Sequence, residues 1–425
     1  MRVLILNQTF HPDTAATAQL MWDLARHLDT AGHGVSVITS RAFYGTDRLH
    51  DTARERYGSA IDVRRVGGTH FGKSSRLGVA GRLSDFGSFY AAAARELWAV
   101  ETPDVILALT SPPMVATLAV ALKAYRAALG ARAPRVVYHV MDLYPDAAEA
   151  AGALKRGGPL ARGLAAFTSR TLRRADATIA LGRDMRERVL TQYVADAAER
   201  DALARRLHVV PPWADDVQLH PLAKQDNPLA AALGLAGTFN VVYSGNLGVA
   251  HDVATIVDAV ELTRRRRGLC WVFIGGGVAS ERLGAEAARR AWPHFRALPF
   301  FPRDELNASL NLADVHLVSQ LPAFTGVVVP SKLFGAMAVG RPTVIVGPAD
   351  AECSRVLREH DAGLVVPNGD ARGLAAAVER LRDDAECRTR MGCNARDALA
   401  AHYSAAVAMA RIEQILEDAC RGRPR

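Results

Sequence analysis

No two of the five cysteines form a Cys-x-x-Cys pair; they stand at Cys270, Cys353, Cys387, Cys393 and Cys420. An odd count spread this widely argues against a disulfide framework or a zinc site and fits a reducing compartment. The thirteen histidines form no ligand-spaced cluster, so no metal site is expected. Long apolar runs are also missing. The opening Met1-Arg-Val-Leu-Ile-Leu-Asn7 is too short for a signal peptide. The longest apolar stretch, Pro112 to about Gly130, is broken by Lys123 and Arg126 and reads as a buried helix rather than a membrane span. These absences lead us to expect a cytoplasmic protein. Neither sign of charge dominates: 52 basic against 44 acidic residues leave +8. That excess suits an anionic small molecule, an anionic lipid surface or an ordinary basic exterior, and no nucleic-acid partner is expected. Short repeats and low-complexity segments are absent as well.

What is present is alternation. At 425 residues the chain exceeds one ordinary core, which predicts two domains. Val3–Leu6 is a short continuous apolar run of the kind buried on both faces of a sheet. Leu20, Leu24 and Leu28 then recur at one helical turn, and Gly32 stops the helix. Further apolar strands are predicted at 35–38, 105–109, 136–140, 177–181 and 207–210, with helical stretches between them. Pro211-Pro212 and a polar stretch through Asp226 read as a linker. The alternation then resumes at 240–243, 271–274, 314–318, 343–346 and 364–366. This pattern predicts an α/β protein of two doubly wound, Rossmann-like domains, 1–212 and 213–403, facing a cleft with their carboxyl strand ends.

Candidate chemistry sits at those strand ends. Tyr243 leads into Ser244-Gly245-Asn246-Leu247-Gly248, and Ile274 into Gly275-Gly276-Gly277. Such turns let a ligand approach the backbone and expose amides suited to phosphate; glycine there is also common structural punctuation. In Pro330-Ser331-Lys332-Leu333, Ser331 is an N-cap candidate for a helix that Gly340 and Pro342 end. The amides of Lys332 and Leu333 and the Lys332 charge would favour a diphosphate, since a cation at a helix N-terminus is otherwise unfavourable. In the first half, Phe10 and Asp13 follow the first strand. Asp142 and Asp146 follow another, where a carboxylate can bind sugar hydroxyls or act as a base. Turn chemistry around Pro145 accounts well for Asp146 and poorly for Asp142. His251, near the Gly245 turn, reads as a surface residue.

In this order and spacing, the segments resemble glycosyltransferase family 4, the retaining nucleotide-sugar enzymes of the GT-B fold, and most of all its bacterial O-antigen, capsule and exopolysaccharide branch. The segments are the Pro12 loop, Gly32-His-Gly34, Asp142-Leu-Tyr-Pro145, Val210-Pro-Pro-Trp213-Ala-Asp215, Tyr243-Ser-Gly-Asn-Leu-Gly248, Ile274-Gly-Gly-Gly277, Ala313-Asp314 and Pro330-Ser-Lys-Leu333 with Ala336-Met-Ala-x-Gly340-x-Pro342. The resemblance implies a nucleotide-binding second domain, with the base near Gly275, Gly276, Gly277 and Phe301 and the diphosphate near Asn246, Ser331 and Lys332, beside the Gly245 turn and the Leu333 amide read above as donor-binding. It implies an acceptor on the first domain near Phe10, Asp13 and Asp142, and a final helix, about 404–425, returning to that domain. The family's Glu-x7-Glu pair would fall on Val327 and Gly335, its phosphate-binding Arg and Lys on Asn246 and His251, and a common His or Arg on Met141.

The expected function is therefore transfer of a sugar from a nucleoside diphosphate donor, UDP favoured, to a sugar or lipid-linked acceptor in bacterial surface polysaccharide synthesis. No cofactor is expected. The missing glutamates keep a catalytically silent nucleotide-binding subunit in play. A sugar-nucleotide 2-epimerase shares the fold but carries Arg-Pro-Glu before its phosphate helix, where Val-Val-Pro-Ser-Lys stands here. Between Asp62 and Asp85 lie Arg64, Arg65, Lys73, Arg76 and Arg82 and no acid, so residues 63–86 are expected to attach the protein to an anionic membrane.

Overall fold

The computed structural model describes residues 1–43, 48–69 and 78–422. It divides into two compact units: Met1–Glu149 with Leu154–Val210 and Met409–Arg425, and Ala150–Ala153 with Pro211–Ala408.

The first unit holds eight strands: β1 (Arg2–Leu6), β2 (Gly34–Ser40), β3 (Arg54–Tyr57), β4 (Ile61–Val66), β5 (Val105–Ala108), β6 (Arg135–Val140), β7 (Ala177–Ala180) and β8 (Leu207–Val209). They run in the order β3-β4-β2-β1-β5-β6-β7-β8, parallel except for β3. Val3 to Leu6 of β1 are at most 1% exposed, which is why that run carries no polar residue. The helix Ala16–Thr30 buries Leu20, Met21, Leu24, Ala25 and Leu28 on one face. It ends where Gly32 takes a φ of +82°, so that the His33 amide can reach the Leu28 carbonyl at 2.9 Å. The stretch after Pro112 forms the helix Ala116–Ala128, but only one of its faces is buried. Tyr125 and Leu129 stay half exposed, so the expected fully buried helix is a surface helix with an apolar underside. No helix among the described residues is long and apolar enough to cross a membrane.

The hairpin of β3 and β4 escapes a search for continuous apolar runs. β4 alternates Ile61, Val63 and Arg65 on one face with Asp62, Arg64 and Val66 on the other, and β3 is a polar edge. Its charges are engaged. Arg64 pairs with Asp62 at 3.0 Å and Glu96 at 2.8 Å. Arg65, its side chain fully buried, pairs with Glu55 at 2.8 Å and donates to the His11 carbonyl. Two of the five cations expected to meet a membrane are therefore spent inside the fold. Lys73 and Arg76 lie outside the described residues, as does the side chain of Arg82.

The second unit holds β9 (Phe239–Ser244), β10 (Leu269–Ile274), β11 (Phe295–Leu298), β12 (Val315–Ser319), β13 (Thr343–Val346) and β14 (Gly363–Val366). All are parallel, in the order β11-β10-β9-β12-β13-β14. Trp271 fills the core on one side of this sheet and donates its indole N–H to Thr263 Oγ1 at 2.9 Å. A smaller cluster around Leu235, Val242 and Val272 fills the other. After a π-helical turn at Leu399–Tyr403 comes the helix Ala405–Arg421, whose Glu413 is gripped by His27 at 2.8 Å and His33 at 2.9 Å. Burial pushes the Glu413 carboxyl up, but those two hydrogen bonds outweigh it and hold its pKa below the usual range.

Candidate nucleotide site and acceptor residues

In a doubly wound sheet, ligands gather where the strand order reverses, because adjacent loops leave there in opposite directions and open a crevice. In the second unit that point lies between β9 and β12. The chain leaves β9 through Gly245 and Asn246, and β12 through Ser319 and Gln320.

The two glycine turns pack against each other. Gly245 N–H donates to the Ile274 carbonyl and Leu247 N–H to that of Gly276, both at 2.8 Å. A Cβ on Gly275 would lie 2.4 Å from the Gly245 carbonyl oxygen, at a φ of +126°. One on Gly277 would lie 2.5 Å from Asn246 Oδ1, and one on Gly245 2.7 Å from Lys332 Cε. Gly245, Asn246, Gly275, Gly277 and Lys332 thus form one constellation. Not every amide there is free for phosphate, since those of Gly245 and Leu247 are bonded as above and that of Gly275 donates to the Leu298 carbonyl of β11 at 2.9 Å. Those of Asn246, Gly276 and Gly277 have no partner among the described residues. Gly275→Ala should lower stability by ~2–3 kcal/mol, because it meets backbone at a strained φ. Gly276→Ala, which meets nothing closer than the Phe300 ring at 3.5 Å, should be nearly neutral. Urea denaturation of the two variants checks the contrast.

Lys332 begins a helix of only seven residues, Lys332–Ala338. The expected cap at its start is not formed: Ser331 already has helical backbone angles, and its side chain caps no amide. The Leu333 amide turns back to the Pro330 carbonyl at 3.4 Å, and the Leu333 side chain is fully buried. So short a helix aligns few peptide dipoles, and the attraction for an anion rests on the ammonium itself. Lys332 Nζ lies 5.3 Å from the centroid of the Tyr243 ring and makes no ion pair among the described residues. Burial lowers its pKa from 10.5 to about 8. An ammonium held over a ring without a counter-ion, beside two glycine turns, is prepared for an anion supplied from outside.

His251 is not the surface residue expected from sequence. Its Nδ1 donates to the Ser319 carbonyl at 2.6 Å, and its Nε2 lies 3.1 Å from the Tyr243 hydroxyl. Burial, then the Lys332 charge, drives its pKa down to about 4, so it is neutral and adds no cation. Phe301 packs against the smaller core cluster, whereas Phe300 is 62% exposed, with its ring beside Gly275 and Gly276. The aromatic at the glycine turn is therefore the neighbour of the expected one. Val327 is fully buried, and a Cβ on Gly335 would face Leu310 Cδ1 at 3.5 Å. Both positions of the missing glutamates are apolar.

In the first unit the strand order reverses between β1 and β5. Phe10, after β1, is 1% exposed and packs edge-on against Trp22 at 5.9 Å, so it offers no surface to a ligand. Asp13 is 6% exposed and accepts the Ala15 amide at 3.0 Å. Asp142, after β6, is set by Thr110, whose Oγ1 accepts the amides of Met141 at 3.0 Å and Asp142 at 3.1 Å. The Asp142 carboxyl itself has no partner among the described residues, and burial raises its pKa from 3.8 to about 6. Asp146 differs: Arg188 binds it at 2.6 Å and the Tyr193 hydroxyl donates to it, a structural role. The sequence did not single out Thr110, Phe300 or the bonds of His251, because each matters only through neighbours distant in the chain.

Residues 16–213 match the glycosyl transferase 4-like domain and residues 238–384 the glycosyl transferases group 1 domain, together most of the chain. The glycosyltransferase WbjE of Pseudomonas aeruginosa is 28% identical over 65% of this chain and 66% of its own length, just under two thirds. The colanic acid biosynthesis glycosyl transferase WcaI of Escherichia coli is 25% identical over 84% of this chain and 86% of its own. The chain belongs to glycosyltransferase family 4. As a member, it is a nucleotide-sugar-dependent glycosyltransferase. Its fold is GT-B. Sucrose-phosphate synthase of Thermosynechococcus elongatus superposes over all of both chains with a TM-score of 0.75 at 14% identity. Anabaena HepE, solved with UDP and glucose, superposes over 98% of this glycosyltransferase and 100% of its own chain, with a TM-score of 0.70 at 16% identity.

Proposed function

We propose that this glycosyltransferase takes a sugar from a UDP-sugar, with retention at the anomeric carbon, and adds it to a lipid-linked acceptor in the building of a bacterial surface polysaccharide. The observation that carries the donor half is the unpaired Lys332 ammonium beside the Gly245 and Gly275–Gly277 turns. UDP in HepE and the colanic acid role in the name of WcaI support the choice of base and pathway class. Lys332, Asn246 and the free turn amides would stabilise the departing diphosphate. Asp142 would orient an acceptor hydroxyl and receive its proton. No cofactor or metal enters this scheme.

Phe300 would stack on the base. Phe300→Ala should weaken UDP binding roughly tenfold with little change in melting temperature, while Phe301→Ala should lower the melting temperature, since it removes a partly buried ring packed against the smaller core cluster. Isothermal titration and thermal unfolding of the two variants separate these roles. The whole reading is tested by thermal shift against UDP, GDP, ADP and their sugars, because a ligand bound only to the folded state raises apparent stability. No shift with any of them overturns it. The anomeric configuration of the product by NMR tests retention.

The apolar surroundings of Val327 and Gly335 favour one competing reading, a nucleotide-binding subunit without turnover. Slow release of UDP from a UDP-sugar in the absence of acceptor would exclude it.

A further inference from the structure

We infer that the helix Pro159–Arg174, and not the segment 63–86, is the surface by which this protein meets an anionic phospholipid bilayer. Between Glu149 and Asp176 there are six cations and no acid. Arg173 is partly spent on Glu199 at 3.3 Å, and Glu149 is occupied by the Gly157 amide at 2.8 Å. The other five, Lys155, Arg156, Arg162, Arg170 and Arg174, are exposed and form no ion pair among the described residues. An ordinary solvated basic helix would balance such a run with acids at i±3 or i±4; this one has none.

The apolar side chains point the same way. The helix buries Ala161, Thr168, Thr171 and Leu172 toward the fold. Leu160 and Phe167, two turns apart on the outward side, remain 63% and 57% exposed. The positions 160, 163, 167, 170 and 174 follow helical spacing, so an apolar half and a cationic half share one outward stripe. Large exposed apolar groups inside a field of unpaired arginines suit headgroup phosphates and the first methylenes below them. By contrast, the fold has neutralised Arg64 and Arg65. The inference extends the reading of a lipid-linked acceptor and is independent of turnover.

The test is co-sedimentation of the full-length protein with vesicles of phosphatidylglycerol alone and of phosphatidylcholine alone. The native protein is expected to pellet with the first, to be released by salt, and to stay in the supernatant with the second. At about fivefold per cation, Arg162→Gln, Arg170→Gln and Arg174→Gln together should weaken the partition on the order of a hundredfold. Phe167→Ser should weaken it about tenfold. Both variants should melt like the native protein, because the exchanged side chains hold nothing in the fold. If the native protein fails to pellet with phosphatidylglycerol, or the folded triple variant pellets equally well, the inference is overturned. It is overturned too if Lys73→Gln with Arg76→Gln abolishes binding and the triple variant does not. Binding to polyglutamate without binding to phosphatidylglycerol would assign the surface to an acidic protein instead. Each of these failures leaves UDP binding unchanged, whereas loss of UDP binding would sink the transferase reading and leave the surface standing.

Discussion

Replacing Lys332 with methionine is expected to weaken UDP binding roughly 30- to 100-fold while raising the melting temperature of the ligand-free protein. Both effects have one cause. The Lys332 ammonium lies over Tyr243 with no ion-pair partner among the described residues, and burial lowers its pKa from 10.5 to about 8. Its folded pKa is below its unfolded one, so the unfolded chain holds more protons between pH 8 and 10.5, and stability should rise with pH across that window. Below pH 8 the folded protein carries the full cost of the buried charge. Methionine keeps the aliphatic stem that passes Gly245 and removes that cost. A bound diphosphate reverses the balance, because it supplies the missing counter-charge and favours the protonated form. Affinity for UDP should therefore decline as pH rises above about 8 in the native protein and stay flat there in the variant. Titration calorimetry across pH, with thermal unfolding, reads all three quantities. Unchanged affinity in the variant would remove Lys332 from the site.

Asp142→Asn should lower sugar transfer by about 10² to 10³ while changing UDP affinity less than about twofold. The carboxyl has no partner among the described residues, Thr110 fixes its backbone, and burial alone raises its pKa to about 6. Transfer that needs the ionised form should fall off as pH drops through about 6, and this acid limb should vanish in the variant. Stability moves the other way. The folded pKa lies above the unfolded 3.8, so the native fold loses stability as pH rises from 3.8 to about 6, and the asparagine variant should be the more stable at neutral pH. Equal losses in turnover and donor affinity would defeat the acceptor role, as would a variant that unfolds. Lys332 and Asp142 thus share a signature: each destabilises its own unit when empty, which is expected where a group is retained for a ligand rather than for the fold.

The sequence by itself determined the doubly wound strands, and the reason is burial on both faces. A strand such as Val3–Leu6 or Leu269–Ile274 can hold almost no polar side chain, so its run is visible in one dimension. The polar edge strand β3, its half-polar partner β4 and the edge strand β11 were invisible for the complementary reason. The glycine turns and Lys332 were legible too, since a close backbone approach admits only glycine and the Pro330-Ser331-Lys332 segment is local. What only the tertiary structure decided is how those residues use their bonds. Ser331 does not cap its helix, because the chain enters it already helical. Phe300 rather than Phe301 faces the turns, since one of two successive residues must take the core side. Asp142 has no partner among the described residues, and Asp146 is held by Arg188, 42 residues away in sequence. Arg64 and Arg65, which read as free cations, find acids on other elements, whereas Arg162, Arg170 and Arg174 of the helix Pro159–Arg174 find none among the described residues. Charge along a chain records which groups exist; which of them remain unpaired depends on contacts between distant segments, and those exist only once the chain has folded.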